Sequence, residues 1–241
     1  YGSGGDGIIR IERSHVADAR MRIFNRDGSE GSMAGNSIRC VAKYLYDNGF
    51  VKGNHVSIET LSGIKEMDLF TFNGQVSSVS VNMGKAILNG RDIPSTLEGD
   101  TVVGREIEVG GQKYAVTLVN VGNPHCVVFC DKVDAVDLPN VGPMFEYAPY
   151  FPQRINTEFV RVVNDRTLKM RVWERGNGET LACGTGAAAC VVAAVLGGYC
   201  KADEDITVKV RGGDLIARYN SDGTVTLTGN TKLVYEGTIE F

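Results

Sequence analysis

Cys183 and Glu174 are the residues of this sequence whose types and spacing best suit proton transfer. Cys183 stands in the glycine-rich run CGTG, and the almost wholly apolar stretch from Gly186 to Leu196 that follows predicts a buried helix. A helix N-terminus is partly positive, which predicts a lowered thiol pKa and favours a thiolate base at this position. Glu174 lies nine positions upstream (183 − 174 = 9), where its carboxylate could orient or activate the thiol.

Each of these side chains also has an ordinary structural explanation. A cysteine where a helix begins is often a small buried hydrophobe, and Glu174 with Arg175 could form a surface ion pair of little energy. His125, in the run GNPHC, could be a structural histidine. Three asparagines could simply satisfy local backbone groups in turns: Asn25, Asn123 and Asn156.

An internal repeat in the sequence favours the chemical interpretation of these residues over the structural one. MRIFNRDGSEGSMAGNSIRC, from Met21, aligns without a gap with MRVWERGNGETLACGTGAAAC, from Met170, at a constant offset (170 − 21 = 149). Each copy predicts a strand, a polar glycine-rich loop and a helix. In this register Cys183 aligns with Ala34, so the repeat marks both positions as equivalent.

The elements that must position these residues follow from the periodicity. In the first copy, apolar residues recur at helical spacing and Asn48-Gly49 supplies a stop, while the second predicted helix ends at Gly197-Gly198. Most of the remaining chain consists of short β-branched runs with turn signals, such as GREIEVGGQKYAVTLVNVG and GGDLIARYNSDGTVTLTG. We therefore predict an α+β fold of two pseudo-symmetric halves, each a β-barrel-like sheet wrapped around a central helix, with the active site in the cleft between them.

The predicted halves are residues 1–83 and 84–230, with a C-terminal strand at about 231–241 returning to the first half. Two helix N-termini facing each other would clamp one carboxylate and stabilise the negative charge that develops when its α-proton leaves. The loops that lead into these helices are AGN at 34–36 and CGT at 183–185, in which Asn36 and Thr185 are capping residue types.

Composition and short motifs exclude several other classes. The chain has 241 residues and a net charge of −4 without a Lys/Arg-rich run, which argues against a nucleic-acid partner. We find no apolar run of the roughly 18 residues that a membrane span needs, and no secretory signal. Gly2, Gly4 and Gly7 match a dinucleotide-binding fingerprint, but the following run IIRIE predicts a strand where that motif needs a helix.

The cysteines and histidines predict neither disulfides nor a metal site. The six cysteines contain no C-x-x-C pair, which in a chain of this length favours free thiols in a reducing compartment. His15, His55 and His125 show no zinc-ligand spacing. No feature marks a Schiff-base lysine, so a pyridoxal-phosphate enzyme is disfavoured.

Two motifs together resemble diaminopimelate epimerase, a family of amino-acid epimerases that use no pyridoxal phosphate. The run NRDGSEGSMAGNSIR, Asn25 to Arg39, resembles the family's N-x-D-G-S-x4-C-G-N-x-x-R except at Ala34, and ERGNGETLACGTG, Glu174 to Gly186, resembles its second signature. GNPHC and RINTEFV support the match, which runs the length of the chain. The resemblance implies that the family's first strands, including a substrate-binding asparagine, precede Tyr1.

The resemblance also implies a mechanism and a set of site residues. Two cysteines on opposite faces of the substrate α-carbon exchange its proton. Cys183 corresponds to one of them, with Glu174 as its partner, and the other falls at Ala34, with His125 as its partner. The main chain at four residues would hold the reacting carboxylate: Gly35, Asn36, Gly184 and Thr185. Five residues would contact the rest of the substrate: Asn25, Asn123, Asn156, Glu174 and Arg175, of which the arginine offers a planar fork.

The implied reaction converts LL-diaminopimelate to the meso form for lysine and cell-wall synthesis, without a cofactor. The resemblance further implies a cytoplasmic homodimer. The alternatives are a racemase of another amino acid on the same scaffold and a catalytically inactive amino-acid-binding homologue.

Ala34 leaves three interpretations open, because a methyl group cannot exchange a proton. One is an engineered Cys→Ala change at a nucleophile. Another is a natural variant in which His125, Ser32, Ser37 or a water serves the vacant face. The third is a protein that kept the pocket and lost or changed the chemistry, and Ser37 favours the latter two. Cys40 lies six residues on, more than one helical turn away, and is a poor substitute.

Overall fold

The computed structural model describes residues 7–25, 28, 30–31 and 35–238, which fall into two compact units. The first unit runs to Asn82 and takes in the chain from Thr228 onward, and the second is Met83–Leu227. The strands that end at Lys85 and Asn230 each cross this boundary by three residues and are placed with the unit that holds most of them. The first unit contains helix α1 (Gly35–Asp47) and the strands β1 (Gly7–Glu12), β2 (Ala19–Asn25), β3 (Glu30–Gly31), β4 (His55–Thr60), β5 (Gly63–Phe72) and β6 (Gln75–Lys85).

The second unit is larger, and four of its strands come before Met170, where its copy of the repeat begins. It contains a 3₁₀ turn (Val133–Ala135), helices α2 (Leu138–Glu146) and α3 (Gly184–Leu196), and the strands β7 (Arg105–Val109), β8 (Gln112–Asn120), β9 (Pro124–Phe129), β10 (Asn156–Asn164), β11 (Thr167–Glu174), β12 (Gly178–Glu179), β13 (Ile206–Val210), β14 (Gly213–Tyr219) and β15 (Thr224–Asn230).

Strand pairing repeats from one unit to the next. The first unit has the order β1-β2-β4-β5-β6, with β3 on β2, and the second has β7-β8-β9-β10-β11-β13-β14-β15, with β12 on β11. In both, an antiparallel pair (β1 and β2, or β10 and β11) is followed by a parallel neighbour, β4 or β13. The predicted α+β fold is confirmed, with sheets as its dominant element.

The repeat is confirmed at the level of individual elements. Helices α1 and α3 each have 13 residues, and both their first and their last residues differ by the predicted offset of 149 (184 − 35, 196 − 47). The strands before them end at equivalent residues, Asn25 and Glu174. The register of the short strand also repeats, because Phe24 pairs with Glu30 as Trp173 pairs with Glu179.

Helices α1 and α3, the two helices of the repeat, are buried to different extents. In α1 a single stripe is buried: Ile38, Val41, Ala42 and Leu45, with Arg39 beside it. In α3 every residue from Gly186 to Ala194 is buried, as predicted for a helix that is apolar all round. Its small side chains let it lie close to the sheet: a Cβ added at Gly184 would come within 2.9 Å of Leu227.

Some local predictions were wrong. The chain from Thr228 returns to the first unit as predicted, but residues 231–238, the described part of the predicted C-terminal strand, form no strand and are mostly exposed. Asn36 and Thr185 do not cap helices, since each is the second residue of one, and α3 begins two residues before the predicted Gly186. The strand predicted after Gly7 is confirmed as β1, while Gly2 and Gly4 lie outside the described residues.

Among the described residues, the longest helices have 13 residues and none combines the length and apolar character needed to cross a membrane.

Candidate active site

Cys183 is the N-cap of α3. Its backbone is extended (φ −133°, ψ 112°), and its Sγ accepts a hydrogen bond from the Gly186 amide at 3.3 Å. The sulfur therefore does what a serine or aspartate oxygen does at most helix N-termini, satisfying one of the amides that lack an intrahelical partner. The Thr185 hydroxyl lies 3.5 Å from the same Sγ. The thiol is thus held at the position where the helix dipole is most positive.

The expected lowering of the Cys183 pKa is wrong. Burial first, and then the nearby carboxylates of Glu174 and Glu158, raise the pKa of this thiol to about 12. The bonds from Thr185 and Gly186 act in the opposite direction but do not offset the burial. The side chain is 8% exposed, so the charged form loses most of its hydration. Cys183 therefore rests as a neutral thiol, ready to donate a proton.

Glu174 ends β11 and is half-buried beside the thiol. Its Oε1 accepts a short hydrogen bond from the Thr180 hydroxyl, across the turn between β11 and α3. Burial raises the pKa of Glu174, which the hydrogen bond from Thr180 partly counters. Within the described residues its carboxylate forms no ion pair with Arg175, so the surface-pair explanation is not what the geometry shows.

His125 lies on β9 with no solvent exposure. Its Nδ1 is 2.7 Å from Glu158 Oε1 and its Nε2 is 3.0 Å from Asn123 Oδ1. The parallel register of β9 and β10, in which Thr157 pairs with Cys126 and Glu158 with Val127, brings the histidine and the glutamate together. Our sequence interpretation missed Glu158, whose signal was a single charged residue in the otherwise apolar strand segment TEFV.

Asn156 connects two segments of the site through its side-chain amide. Its Nδ2 donates to the Pro124 carbonyl at 2.8 Å and its Oδ1 accepts from the Arg175 amide at 3.0 Å. The asparagine therefore fixes the loop before His125 relative to the turn after β11. Arg175 itself is half-buried and donates through one terminal nitrogen to the Gln153 carbonyl at 3.0 Å.

A second buried carboxylate, also missed from the sequence, supports that turn. Glu146 accepts from the Gly176 amide at 2.9 Å and from the Trp173 indole at 2.8 Å, and Arg154 lies 3.2 Å from it. The tryptophan packs against Gly142 so closely that a Cβ there would come within 2.4 Å of the indole ring. Helix α2 thus anchors the turn that carries Arg175.

The remaining predicted site residues belong to the first unit. Asn25 is the last residue of β2, and Gly35 and Asn36 open α1, but the side chains of these three positions are outside the described part of the chain. Ala34 lies outside the described residues altogether. The structure therefore brings together the predicted residues of the second unit: Asn123, His125, Asn156, Glu174, Arg175, Cys183, Gly184 and Thr185.

This cluster is distinct from a cavity elsewhere in the second unit. A cavity of about 490 Å³ lies between α2 and the strands β7, β8 and β9, and none of the described residues that line it belongs to the predicted site.

Comparison with known proteins gives the chain its family. The sequence model of the family described as "Diaminopimelate epimerase" matches residues 1–89 and 117–234. A protein named diaminopimelate epimerase from Desulfitobacterium hafniense is 47% identical over 239 residues, which is 99% of this chain and 84% of that protein. One of the same name from Acetivibrio thermocellus is 46% identical over 241 residues, which is 100% of this chain and 85% of that protein.

Solved structures of lower identity share the fold. A probable proline racemase from Agrobacterium radiobacter superposes with a TM-score of 0.65 at 15% identity, covering 95% of this chain and 76% of that one. A hydroxyproline epimerase from Agrobacterium vitis gives 0.65 at 16%, covering 93% and 71%. On the family match and the close relatives, this chain is a member of the diaminopimelate epimerase family.

Proposed function

We propose that this chain is a cofactor-independent isomerase built for the epimerisation of LL-diaminopimelate to the meso form by two-base proton transfer. The observation that carries the proposal is Cys183, a buried thiol that caps α3 in a chain 45–47% identical to proteins named diaminopimelate epimerase. A thiol at that position can deliver a proton to a carbanion, and the thiolate that remains can remove a proton in the reverse direction.

The start of α3 supplies the electrostatic part of the proposed reaction. The amides of Gly184 and Thr185 belong to its first turn, where backbone N–H groups lack intrahelical acceptors. Such a turn binds a carboxylate and stabilises the charge that spreads onto it when the α-proton leaves. Glu174, held by Thr180, stands next to the thiol as the group that would exchange its proton with it.

Arg175 is the proposed contact for the distal carboxylate of the substrate. One of its terminal nitrogens is used by the Gln153 carbonyl, which orients the guanidinium and leaves the rest of the fork for a carboxylate. Asn156 accepts from the Arg175 amide, and Glu146 accepts from the amide of the next residue, Gly176. Asn123 and Asn25 complete the proposed distal contacts, and the main chain at Gly35 and Asn36 is the proposed counterpart of the α3 turn.

Ala34 limits what the chain as written can do. If it stands where the family has its other thiol, His125 lacks the group it would serve, and inversion lacks its second acid. We therefore propose that the chain binds a diaminopimelate-like amino acid and exchanges its α-proton through Cys183 on one face, while inverting it slowly.

Incubation in D₂O tests this proposal. Each stereoisomer of diaminopimelate is incubated with the protein, deuterium at the α-carbon is followed by mass spectrometry, and stereochemistry by chiral chromatography. We expect deuterium incorporation without matching inversion. Inversion as fast as exchange would contradict the role given to Ala34. The absence of both binding, measured by calorimetry, and deuterium exchange would contradict the proposed function.

Ala34 itself favours a second candidate, a non-catalytic amino-acid-binding protein. This candidate predicts binding of the amino acid with no deuterium incorporation at all, so the same experiment separates the two. A panel of other amino acids in that experiment tests for a racemase of different specificity.

We also propose that the protein is a cytoplasmic homodimer, which the resemblance to the family supports. Light scattering after size-exclusion chromatography should give twice the chain mass of 26.0 kDa, and a monomer over the micromolar range contradicts the dimer. Fractionation of source cells tests the location.

A further inference from the structure

Glu158 is a buried carboxylate that the proposed reaction does not use. It has no solvent exposure, and its Oε1 lies 2.7 Å from Nδ1 of His125, which is equally buried. Its other oxygen, Oε2, has no hydrogen-bond partner among the described residues. A carboxylate buried with one oxygen unsatisfied costs free energy, so a purely structural position would favour an apolar residue.

The first copy of the repeat shows that the sheet does not need this carboxylate. Glu158 pairs with Val172 as Ile9 pairs with Ile23, so Ile9 is the equivalent of Glu158 at the offset of 149 (158 − 9). An isoleucine is thus compatible with the same antiparallel strand pair, where Ile9 is half-buried. The acid in the second copy is an addition to a scaffold that forms without it.

Helix α3 also differs from α1 at the residue that lies against Glu158. A Cβ added at Gly186 would lie 2.7 Å from Glu158 Oε1 and 3.3 Å from Cys183 Sγ, closer than a real Cβ can sit without displacing one of them. The equivalent residue of the first copy is Ser37 (186 − 37 = 149), which has a side chain. The second copy therefore combines an acid in the strand with a glycine that makes room for it beneath the thiol.

We propose that Glu158 is a positioning residue, which fixes His125 as the Nδ1–H tautomer and places a negative charge under the first turn of α3, next to Cys183. This inference rests on the proposed function, because Glu158 would orient His125 and hold the proton on Cys183, the two groups assigned to proton transfer. The carboxylate acts through His125 and Cys183 and touches no substrate atom.

The tautomer follows from hydrogen-bond chemistry. An ionised carboxylate only accepts, so the hydrogen between Glu158 and His125 belongs to Nδ1. Nε2 is then the ring nitrogen that faces Asn123. Asn123 presents its Oδ1 to Nε2 at 3.0 Å, which accepts from a protonated Nε2, and a half-turn of the amide would present Nδ2 as the donor to a bare one.

The charge acts on the thiol in the same direction as burial. The described ionisable groups that surround Cys183 are the carboxylates of Glu174 on β11 and Glu158 on β10, with His125 on β9 beyond them and the Cys190 thiol further along α3. Both carboxylates raise the pKa of Cys183, which keeps its proton in place until substrate arrives.

Nitrogen-15 NMR of the unmodified protein tests the tautomer directly. Long-range couplings in the His125 ring should show a hydrogen on Nδ1, and a ring protonated on Nε2 alone would overturn the proposal. In Glu158→Gln, whose amide can donate or accept, we expect a mixture of tautomers. Thr157→Val is the matched control, because Thr157 is the buried neighbour on β10 and its hydroxyl has no partner among the described residues.

Alkylation of Cys183 tests the charge. In Glu158→Gln, iodoacetamide should label Cys183 at least about tenfold faster at pH 8, because loss of the neighbouring charge lowers the thiol pKa and raises the thiolate fraction. Peptide mass spectrometry resolves the cysteines, with exposed Cys40 as internal reference. Thr157→Val should label at the wild-type rate. Equal rates in Glu158→Gln and wild type would contradict the proposal.

Two further arms keep the result decisive. If Glu158→Gln does not fold, Glu158→Asp retains the charge and should keep the wild-type labelling rate, while the NMR of the unmodified protein still decides the tautomer. Neither measurement uses a substrate, so a failure of the D₂O experiment does not decide this inference, which is tested by its own data.

In an Ala34→Cys background, Glu158→Gln should lower kcat at least tenfold with KM within about twofold, and a change in KM alone contradicts a role in proton transfer.

Discussion

The two copies of the repeat share one structural ion pair and differ in the chemistry around it. Arg22 meets Glu30 at 2.7 Å in the first copy, and Arg171 meets Glu179 at 2.9 Å at the equivalent positions of the second. Both pairs join the long strand to the short one that follows it. The backbone arrangement of strand, short strand and helix has therefore been retained together with its own ion pair.

What differs is burial, and with it the reactive groups. The Arg22 side chain is 30% exposed and that of Arg171 only 7%, where its guanidinium also donates to the Val133 and Val136 carbonyls. At three equivalent positions the first copy has Asn25, Ile9 and Ala34 where the second has Glu174, Glu158 and Cys183. The two copies thus share one backbone arrangement and differ in the side chains placed at these three positions.

Restoring a thiol to the first copy should have the largest effect. Ala34→Cys should raise the rate of diaminopimelate inversion by about 10²- to 10⁴-fold, the usual contribution of a positioned acid or base. The measurement is inversion by chiral chromatography. Ala34→Ser, similar in size but without a readily ionised group, is the control and should give no comparable gain. A failure of the cysteine variant would mean that the repeat has misplaced the site.

Removing the thiol of the second copy should have the next largest effect. Cys183→Ala should lower α-deuterium incorporation by at least about 100-fold, since the remaining exchange has no positioned acid or base. Cys190→Ala is the matched control, because that thiol lies in the same helix, fully buried against Met170. Exchange that persists in Cys183→Ala would assign the chemistry to another group.

The equivalent ion pairs should differ in their contribution to stability. Arg171→Ala should lower the free energy of unfolding by about 3 kcal/mol or more, because it leaves the Glu179 carboxylate and two buried carbonyls with fewer partners. Arg22→Ala should have a clearly smaller effect, since its pair is solvated. Urea denaturation measures both, and equal losses would show that burial does not separate the two copies.

The smallest predicted effect is on the pH dependence of stability. The pKa of Cys183 is raised to about 12 in the folded protein, above its ordinary value of 9.0, so folding favours the neutral thiol. Its contribution is fully present below the unfolded pKa and is lost as pH rises towards the folded one, by up to about 1.4 kcal/mol per pH unit.

Urea denaturation between pH 8 and 11 should show this loss, with a shallower slope in Cys183→Ala. Burial also raises the pKa of Cys126 and Cys190 well above the ordinary value, so part of the slope should remain. Cys40→Ala, at an exposed position, should leave the slope unchanged. A slope equal in wild type and Cys183→Ala would contradict the raised pKa.

The sequence by itself predicted the repeat and its two helices, α1 and α3, while helix α2 was not predicted and the site residues around His125 and Asn156 followed from the resemblance to a family. The repeat and its helices were predictable because helical periodicity, the position of glycine and a constant offset are local properties of the chain. The same local reasoning misplaced two helix caps, since which residue caps a helix depends on its backbone angles, and here a cysteine took that place.

Only the tertiary structure decided the protonation of the thiol and the partners of the histidine. The helix dipole favoured a low pKa for Cys183, but burial and two carboxylates from other strands outweigh it. Glu158 follows His125 by 33 positions in sequence, and the two side chains meet only because β9 and β10 are parallel neighbours. Desolvation and long-range charge depend on what packs around a group, and no local pattern in the sequence encodes that.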